Sequence, residues 1–154
     1  MCASKESATN SSGLLSNYDE ETRVSIPSSV LAEIAALSHS QSEHVQTELR
    51  KITAAGHTPS KFVYKQYGDL KVFRCGETVR LFGVILEHID IVDSFDHLVI
   101  LLEISEHDYH QAGVSKTQAQ SIQHTFAALE SEEAFWNELA GSVFDTADLD
   151  SIFE

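Results

Sequence analysis

Two parts of the chain alternate between apolar and polar residues, and this alternation predicts β-strands. Thr22 to Ile26 alternates and stops at Pro27, a residue that cannot donate to a hydrogen-bond ladder. Asp69 to Cys75 alternates again and runs into the turn residue Gly76. The pattern therefore predicts one strand near the start of the fold and a second strand that enters a turn in the middle of the chain.

Two further segments are almost continuously apolar. Thr78 to Glu87 follows the glycine turn, and His97 to Ile104 follows an acidic connection. Apolar runs of this length and density are typical of the central strands of a sheet. Gly83 lies inside the first run, where a glycine predicts a β-bulge or a close approach by a helix.

Helical spacing of apolar residues precedes and follows these strands. A helix of about ten residues is expected to start at Ser28 or Ser29. A second helix is expected to start at Ser40 or Ser42 and to end at Gly56, so that the two form an antiparallel hairpin. Two more helices are predicted for residues 115–130 and 131–141.

The order of these elements predicts an α+β fold within one domain, for which 154 residues suffice. Residues 1–20 are small and polar and are expected to be a disordered tail. Residues 21–112 form the predicted folded domain, residues 113–141 a C-terminal helical extension, and residues 142–154 an acidic tail. Because a helical hairpin separates the first strand from the others, the sheet must mix parallel and antiparallel pairs.

The formal charge of −14 argues against a nucleic-acid partner, but its distribution changes that picture. Residues 50–80 hold seven of the ten lysines and arginines and only two acidic residues, a local balance of +5. The other 123 residues carry three basic and 22 acidic side chains. This segregation favours one cationic face on an acidic body, as a phosphate ligand requires, although the bases could also be spread over a solvated surface.

Several classes of protein are not indicated. No apolar run approaches the roughly 20 residues of a membrane span, and the start of the chain lacks the apolar segment of a secretory signal. Cys2 and Cys75 do not make a disulfide framework, and Cys75 is expected to be a buried strand residue. There is no P-loop and no dinucleotide fingerprint. We expect a cytoplasmic protein with no membrane partner and no cofactor.

The most specific motif is LKVFRCGETVRLFGVI, residues 70–85, in which Arg74 and Gly76 precede Arg80 and an apolar strand. RVSIPSSVLAEIAAL comes before it and LVILLEISEHDYH after it. In this order the three segments resemble the first strand and helix, the basic hairpin and the final strand of the RelE/ParE toxin superfamily of bacterial and archaeal toxin–antitoxin systems. The resemblance covers residues 22–112.

The resemblance implies a RelE/ParE-like fold, a curved antiparallel sheet backed by two helices. Many members cleave messenger RNA on the ribosome without a metal, by attack of the RNA 2′-hydroxyl on the neighbouring phosphate. The chain is then expected to be a toxin-type endoribonuclease that acts on free or ribosome-bound RNA and is neutralised by an antitoxin protein. The alternative is a non-catalytic module that binds a protein partner, either an antitoxin-like segment or gyrase, which ParE members inhibit.

The resemblance also implies roles for individual residues. Arg80 would clamp phosphate, because a guanidinium can donate two hydrogen bonds to one phosphate group. Arg74 would either join it or pair with a carboxylate as a structural partner. Lysines before and within the hairpin would either hold RNA phosphates or occupy a solvated edge of the sheet: Lys61, Lys65 and Lys71. The cluster after the last strand would move protons or stack a base, unless its histidines are ordinary surface residues: His107, Tyr109 and His110.

Two other interpretations stay open at the end of this domain. On a helix, Glu103, Glu106, His107 and His110 would share one face and could bind a metal ion. Glu106 and Asp108 also depart from the basic residues that active family members carry there.

The C-terminal segment 142–154 is acidic and punctuated by apolar residues. It is either a frayed tail or a peptide that covers a cationic face. That face would be the Arg74 and Arg80 face of this chain or a face of a partner.

Overall fold

A computed structural model of the chain describes residues 20–106 and 116–153. Within these residues, six strands and five α-helices alternate with short connections. The strands are Thr22–Ile26 (β1), Lys65–Tyr67 (β2), Leu70–Cys75 (β3), Val79–Leu86 (β4), His97–Ser105 (β5) and Ser142–Phe144 (β6). The helices are Ser28–Ala35 (α1), His39–Thr53 (α2), Lys116–Ala127 (α3), Glu132–Glu138 (α4) and Thr146–Ile152 (α5), and Pro59–Phe62 is a short 3₁₀ turn. Nearly all of the predicted N-terminal tail lies outside the described residues.

The six strands form one open mixed sheet in the order β2-β3-β4-β5-β1-β6. β2 to β5 are antiparallel neighbours, whereas β1 is parallel to β5 and β6 is antiparallel to β1. Because α1 and α2 connect β1 to the β2–β5 meander, the first strand is free to enter the sheet beside the last strand of the meander. The predicted α+β class and the mixing of parallel and antiparallel pairs are confirmed.

Helices cover both faces of the sheet. On one face the apolar sides of α1, α2 and α5 pack on alternate strand residues such as Phe73, Leu81 and Val99. On the other face α3, α4 and the β4–β5 connection pack on Val72, Phe82 and neighbouring residues. The helices that the sequence predicted as a C-terminal extension therefore complete a three-layer arrangement. This second layer explains why β4 and β5 are apolar along nearly their whole length.

The second helix starts earlier than the sequence predicted. Ser38, not Ser40 or Ser42, is its N-cap: its hydroxyl accepts a hydrogen bond from the Gln41 backbone N–H at 3.2 Å. The Gln41 side chain accepts in return from the Ser38 backbone N–H. This reciprocal capping box satisfies two amide groups that would otherwise lack a partner at the start of α2.

The glycine inside β4 marks a β-bulge, as the sequence predicted. The pairing of β4 with β5 shifts register between Phe82 and Gly83. A β-carbon at Gly83 would lie 2.5 Å from the carbonyl oxygen of Ile100, so a side chain here would force the two strands apart. The element that approaches the glycine is thus the neighbouring strand and not a helix.

The C-terminal residues 142–153 are part of the fold. β6 pairs with β1 at the edge of the sheet opposite to β2, and α5 packs against α2. Asp150 in α5 accepts a hydrogen bond from Arg50 in α2 at 2.8 Å, and the hydroxyls of Thr53 and Thr146 lie 2.7 Å apart. This segment is therefore neither a frayed tail nor a peptide that covers the Arg74 and Arg80 of its own chain.

Candidate nucleic-acid interface

The β3–β4 turn sets the geometry of the predicted site, and Gly76 makes that turn possible. Gly76 has a φ of +72°, in the left-handed region that side chains disfavour. A β-carbon at this position would also overlap the imidazole ring of His44, which lies on α2 and packs against the turn. The turn therefore brings α2 into direct contact with the hairpin and fixes the spacing of the two flanking strands.

Arg74 and Arg80 occupy directly opposite positions on β3 and β4. Arg74 Nε donates to the carbonyl oxygen of Gly76 at 3.0 Å, and a guanidinium nitrogen of Arg80 donates to the same oxygen at 3.4 Å. Arg80 also donates to the carbonyl oxygens of Val79 and Glu77, at 2.9 and 3.2 Å. Backbone carbonyl oxygens of the turn thus hold both guanidinium groups in place. Each guanidinium group has five N–H donors, more than these hydrogen bonds engage.

An exposed tyrosine lies at the centre of these cations. The Arg80 and Arg74 guanidinium carbons lie 5.1 and 5.5 Å from the centroid of the Tyr64 ring, and Lys65 Nζ lies 5.4 Å from it. These distances are in the range of cation–π attraction. The Tyr64 side chain is nevertheless 43% exposed. We call Tyr64, Lys65, Arg74 and Arg80 the tyrosine–arginine cluster.

The three predicted lysines have different surroundings. Lys65 belongs to the cluster, and Lys61 lies just before it in the chain, with Nζ 5.9 Å from the Phe62 ring. Lys71 lies between Leu70 and Val72 in β3, so its side chain emerges on the opposite face from theirs and from Arg74. Its ammonium donates to the Gln66 side chain and to the Gly68 carbonyl oxygen. The structure therefore separates Lys71 from the predicted RNA face and gives it a role at the β2–β3 turn.

The last strand of the meander ends beside Arg80, because Ser105, its final residue, is the cross-strand partner of Arg80. The predicted proton-transfer residues that follow, His107, Tyr109 and His110, lie outside the described residues. Glu103 is part of β5, so it does not share a helical face with the residues after it, and the metal interpretation loses its geometric basis. Residues 20–106 and 116–153 contain no group of three or more His, Cys, Asp or Glu side chains that could hold a metal ion.

The opposite face of the hairpin is buried where Cys75 lies. Cys75 is 1% exposed, and burial raises the pKa of its thiol far above its ordinary value, so the reactive thiolate does not form. Desolvation also raises the pKa of the nearby Glu48 carboxyl, against the opposing effect of Lys51. The prediction that Cys75 is a buried strand residue is confirmed.

Sequence reasoning missed Tyr64. The residue stands next to Lys65, and the sequence of residues 62–64 indicates only a short strand or an extended approach to the next strand, so nothing in its own spacing distinguishes Tyr64 from a core aromatic. The usable signal was an aromatic residue inside the most basic part of the chain.

Comparison of the chain with family models, with curated proteins and with solved structures found no match. No helix among residues 20–106 and 116–153 has the length and apolar character needed to cross a membrane.

Proposed function

We propose that the chain is a RelE/ParE-like protein that binds single-stranded RNA through the tyrosine–arginine cluster and cleaves it without a metal. The observation that carries this proposal is the exposed Tyr64 ring with three cationic groups within 5.1–5.5 Å of its centroid. An aromatic face and adjacent guanidinium groups are the two chemical features that recognise an unpaired nucleotide, since the face stacks on a base and the cations hold its phosphates.

The arrangement of the arginines also fits phosphate binding. Their guanidinium groups are anchored by carbonyl oxygens of the turn and do not rotate freely in solvent, so less conformational entropy is lost when they bind. Duplex RNA presents its bases stacked and paired, and the Tyr64 ring could not stack on them. The cluster therefore favours single strands over duplexes.

The order of elements supports the finer classification. A strand, a helical hairpin and an antiparallel meander, with two arginines on its hairpin, follow one another as the resemblance to RelE/ParE toxins implies. Cleavage by a 2′-hydroxyl requires a base for that hydroxyl, cations for the pentavalent phosphate and an acid for the leaving oxygen. Arg80 and Arg74 would supply the cations, and the proposed proton carriers are His107, Tyr109 and His110.

A direct test combines binding and cleavage on one labelled RNA. Single-stranded RNA in excess chelator should be cut by the intact chain, and the same oligonucleotide with 2′-deoxyribose throughout should bind without being cut. Arg80→Lys keeps the charge but loses the planar fork, so it should reduce cleavage strongly while the fold is retained. Cleavage of the deoxy oligonucleotide, or cleavage that survives only without chelator, would contradict the proposed chemistry.

The second candidate is a non-catalytic module that binds an acidic protein segment through the same cluster. It is favoured by the partners that the arginines have in the structure, which are carbonyl oxygens and the Glu77 carboxylate, 3.7 Å from Arg74. A peptide offers the same two acceptor types. Binding of RNA without any cleavage, together with displacement of that RNA by a defined acidic partner, would favour this module over the nuclease.

A further inference from the structure

A small groove lies at the opposite end of β4 from the tyrosine–arginine cluster. It encloses about 200 Å³ between the β4–β5 connection and the helices α3 and α4. Apolar side chains that the core leaves partly uncovered form much of its lining: Ile89, Ile91, Phe126 and Leu129. Arg80 and Leu86 are six residues apart on one strand, which separates the two regions by about 20 Å.

The rim of the groove is acidic. Glu87 and Asp90 line it and are exposed to solvent. Lys116, at the N-terminal end of α3, is the only lysine or arginine after Arg80, and none of the residues that line the groove is a lysine or arginine. The groove also receives the C-terminal end of α3, where the partial negative charge of the helix dipole favours a cation.

One wall of the groove is held in a fixed shape by a buried histidine. His88 lines the groove with a φ of +57°, which is rare for a residue other than glycine. Its backbone N–H donates to Nδ1 of His97 at 3.1 Å, and His97 is completely buried. Nε2 of His97 must then carry the hydrogen, which it donates to the Glu20 carboxylate at 2.9 Å. These two hydrogen bonds hold the unusual backbone conformation of His88 in place, and such preorganisation is what a preformed binding site requires.

We infer that this groove binds a basic peptide segment that inserts one apolar side chain between the β4–β5 connection and α3. A lysine or arginine next to that side chain pairs with Glu87 and Asp90. The volume suits a single large side chain, and the charge of the rim excludes acidic peptides. The groove and its occupant are independent of the proposed RNA function, because none of the cluster residues contributes to the lining.

The test uses a random peptide library displayed on phage and selected against the intact chain immobilised through its N-terminus. Enriched peptides should carry net positive charge beside a large apolar residue. The best one, synthesised with a fluorophore, should bind the E87Q/D90N double variant at least about fivefold more weakly, as expected when two partly desolvated ion pairs are lost. Raised salt should weaken its binding to the wild type.

Asp93→Asn is the matched control, since Asp93 is an exposed carboxylate of the same connection that does not line the groove. Binding to this variant should stay within about twofold of the wild-type value, as for other rim charges that make no contact. Failure to enrich any peptide, enrichment of neutral or acidic peptides, or equal binding to the E87Q/D90N variant would each overturn the inference. Circular dichroism of each variant shows that the fold is intact.

Discussion

Arg74 and Arg80 face each other across β3 and β4, and both donate hydrogen bonds to the carbonyl oxygen of Gly76. Two like charges at opposed positions repel each other, and the shared acceptor offsets part of that repulsion. The negative end of the Gly76 carbonyl dipole lies between the two guanidinium groups, and the Tyr64 ring adds a second electron-rich surface. These contacts therefore stabilise two cations close together at one end of the sheet.

Arg80 should contribute more to the stability of the hairpin than Arg74. Arg80 is half-buried and donates to three carbonyl oxygens, whereas the more exposed Arg74 donates to one. We expect Arg80→Ala to lower the free energy of unfolding by about 1–2 kcal/mol and Arg74→Ala by less than about 1 kcal/mol. Urea denaturation followed by tryptophan fluorescence measures both, and equal losses would show that the carbonyl contacts of Arg80 carry little free energy.

Gly76 should be among the least replaceable residues of the turn. Gly76→Ala combines a left-handed backbone with overlap on the His44 ring, and we expect a loss of about 2–4 kcal/mol. Gly56 provides the matched control, because it has a φ of +96° but nothing within 4 Å of the position that a β-carbon would occupy. Gly56→Ala should cost only about 1 kcal/mol, from the backbone alone.

The difference between the two glycine variants isolates the steric contribution of His44. Thermal or urea denaturation of the double variant His44→Ala/Gly76→Ala should recover part of the loss seen in Gly76→Ala. If the double variant is no more stable than Gly76→Ala, the contact between α2 and the turn does not limit the residue at position 76.

The buried carboxyl of Glu48 should make the fold more stable as the pH falls. Desolvation raises its pKa in the folded state, so the folded state binds a proton more readily than the unfolded chain does. The corresponding stability is present below the ordinary carboxyl pKa of 4.5 and is lost as the pH rises through the higher, folded-state pKa. Glu48→Gln should therefore stabilise the protein at neutral pH, and the gain should vanish in acid. Urea midpoints for both proteins across this range test it, and a gain that persists in acid would contradict the account.

Asp145 should have the opposite pH dependence. A hydrogen bond donated by the Asp148 backbone N–H is the main cause that lowers the pKa of the Asp145 carboxyl at the start of α5. The stability that Asp145 supplies is thus present at neutral pH and is lost as the pH falls through the lowered pKa. Asp145→Ala should cost about 1 kcal/mol at neutral pH, the usual value of an N-cap.

Asp145→Asn is the control for this cap, because it keeps an acceptor oxygen and removes the charge. It should retain most of the stability at neutral pH and lose the dependence on acid. The denaturation midpoints of both variants between neutral and acidic pH distinguish the cap from the charge, and identical behaviour of the two variants would assign the whole effect to the charge.

The local pattern of the chain predicted β1, β3, β4, β5 and the two helices after β1, whereas it placed no strand at Lys65–Tyr67 and started α2 too late. Thr22 to Ile26 is a strand with the predicted bounds, and Gly83 lies at a bulge. In both places the backbone conformation depends on the residue itself or on its immediate neighbours: Pro27 ends a ladder, and Gly83 allows close approach. Information of this kind is present in a short window of sequence.

The arrangement of the helices and the composition of the site depend on contacts between distant segments. The pairing of β6 with β1, and the position of α3 on the second face, involve residues about 120 and 40 positions apart that no local window connects. Lys71 and Lys65 are equally basic in sequence, but the two-residue period of the strands places Lys71 on the other face. Tyr64 gains its role only because Arg74 and Arg80 fold back over it.

The central claim is that the tyrosine–arginine cluster binds unpaired RNA, and fluorescence anisotropy with a labelled single-stranded oligonucleotide tests it most directly. Tyr64→Ala should weaken binding about tenfold or more, the usual effect of losing one stacked base, whereas Tyr64→Phe should stay within about twofold. Arg50→Gln removes one positive charge from the same basic segment, but at a residue paired with Asp150 on α5, and should have little effect. Unchanged affinity in Tyr64→Ala, or a loss in Arg50→Gln as large as that in Tyr64→Ala, would contradict the account.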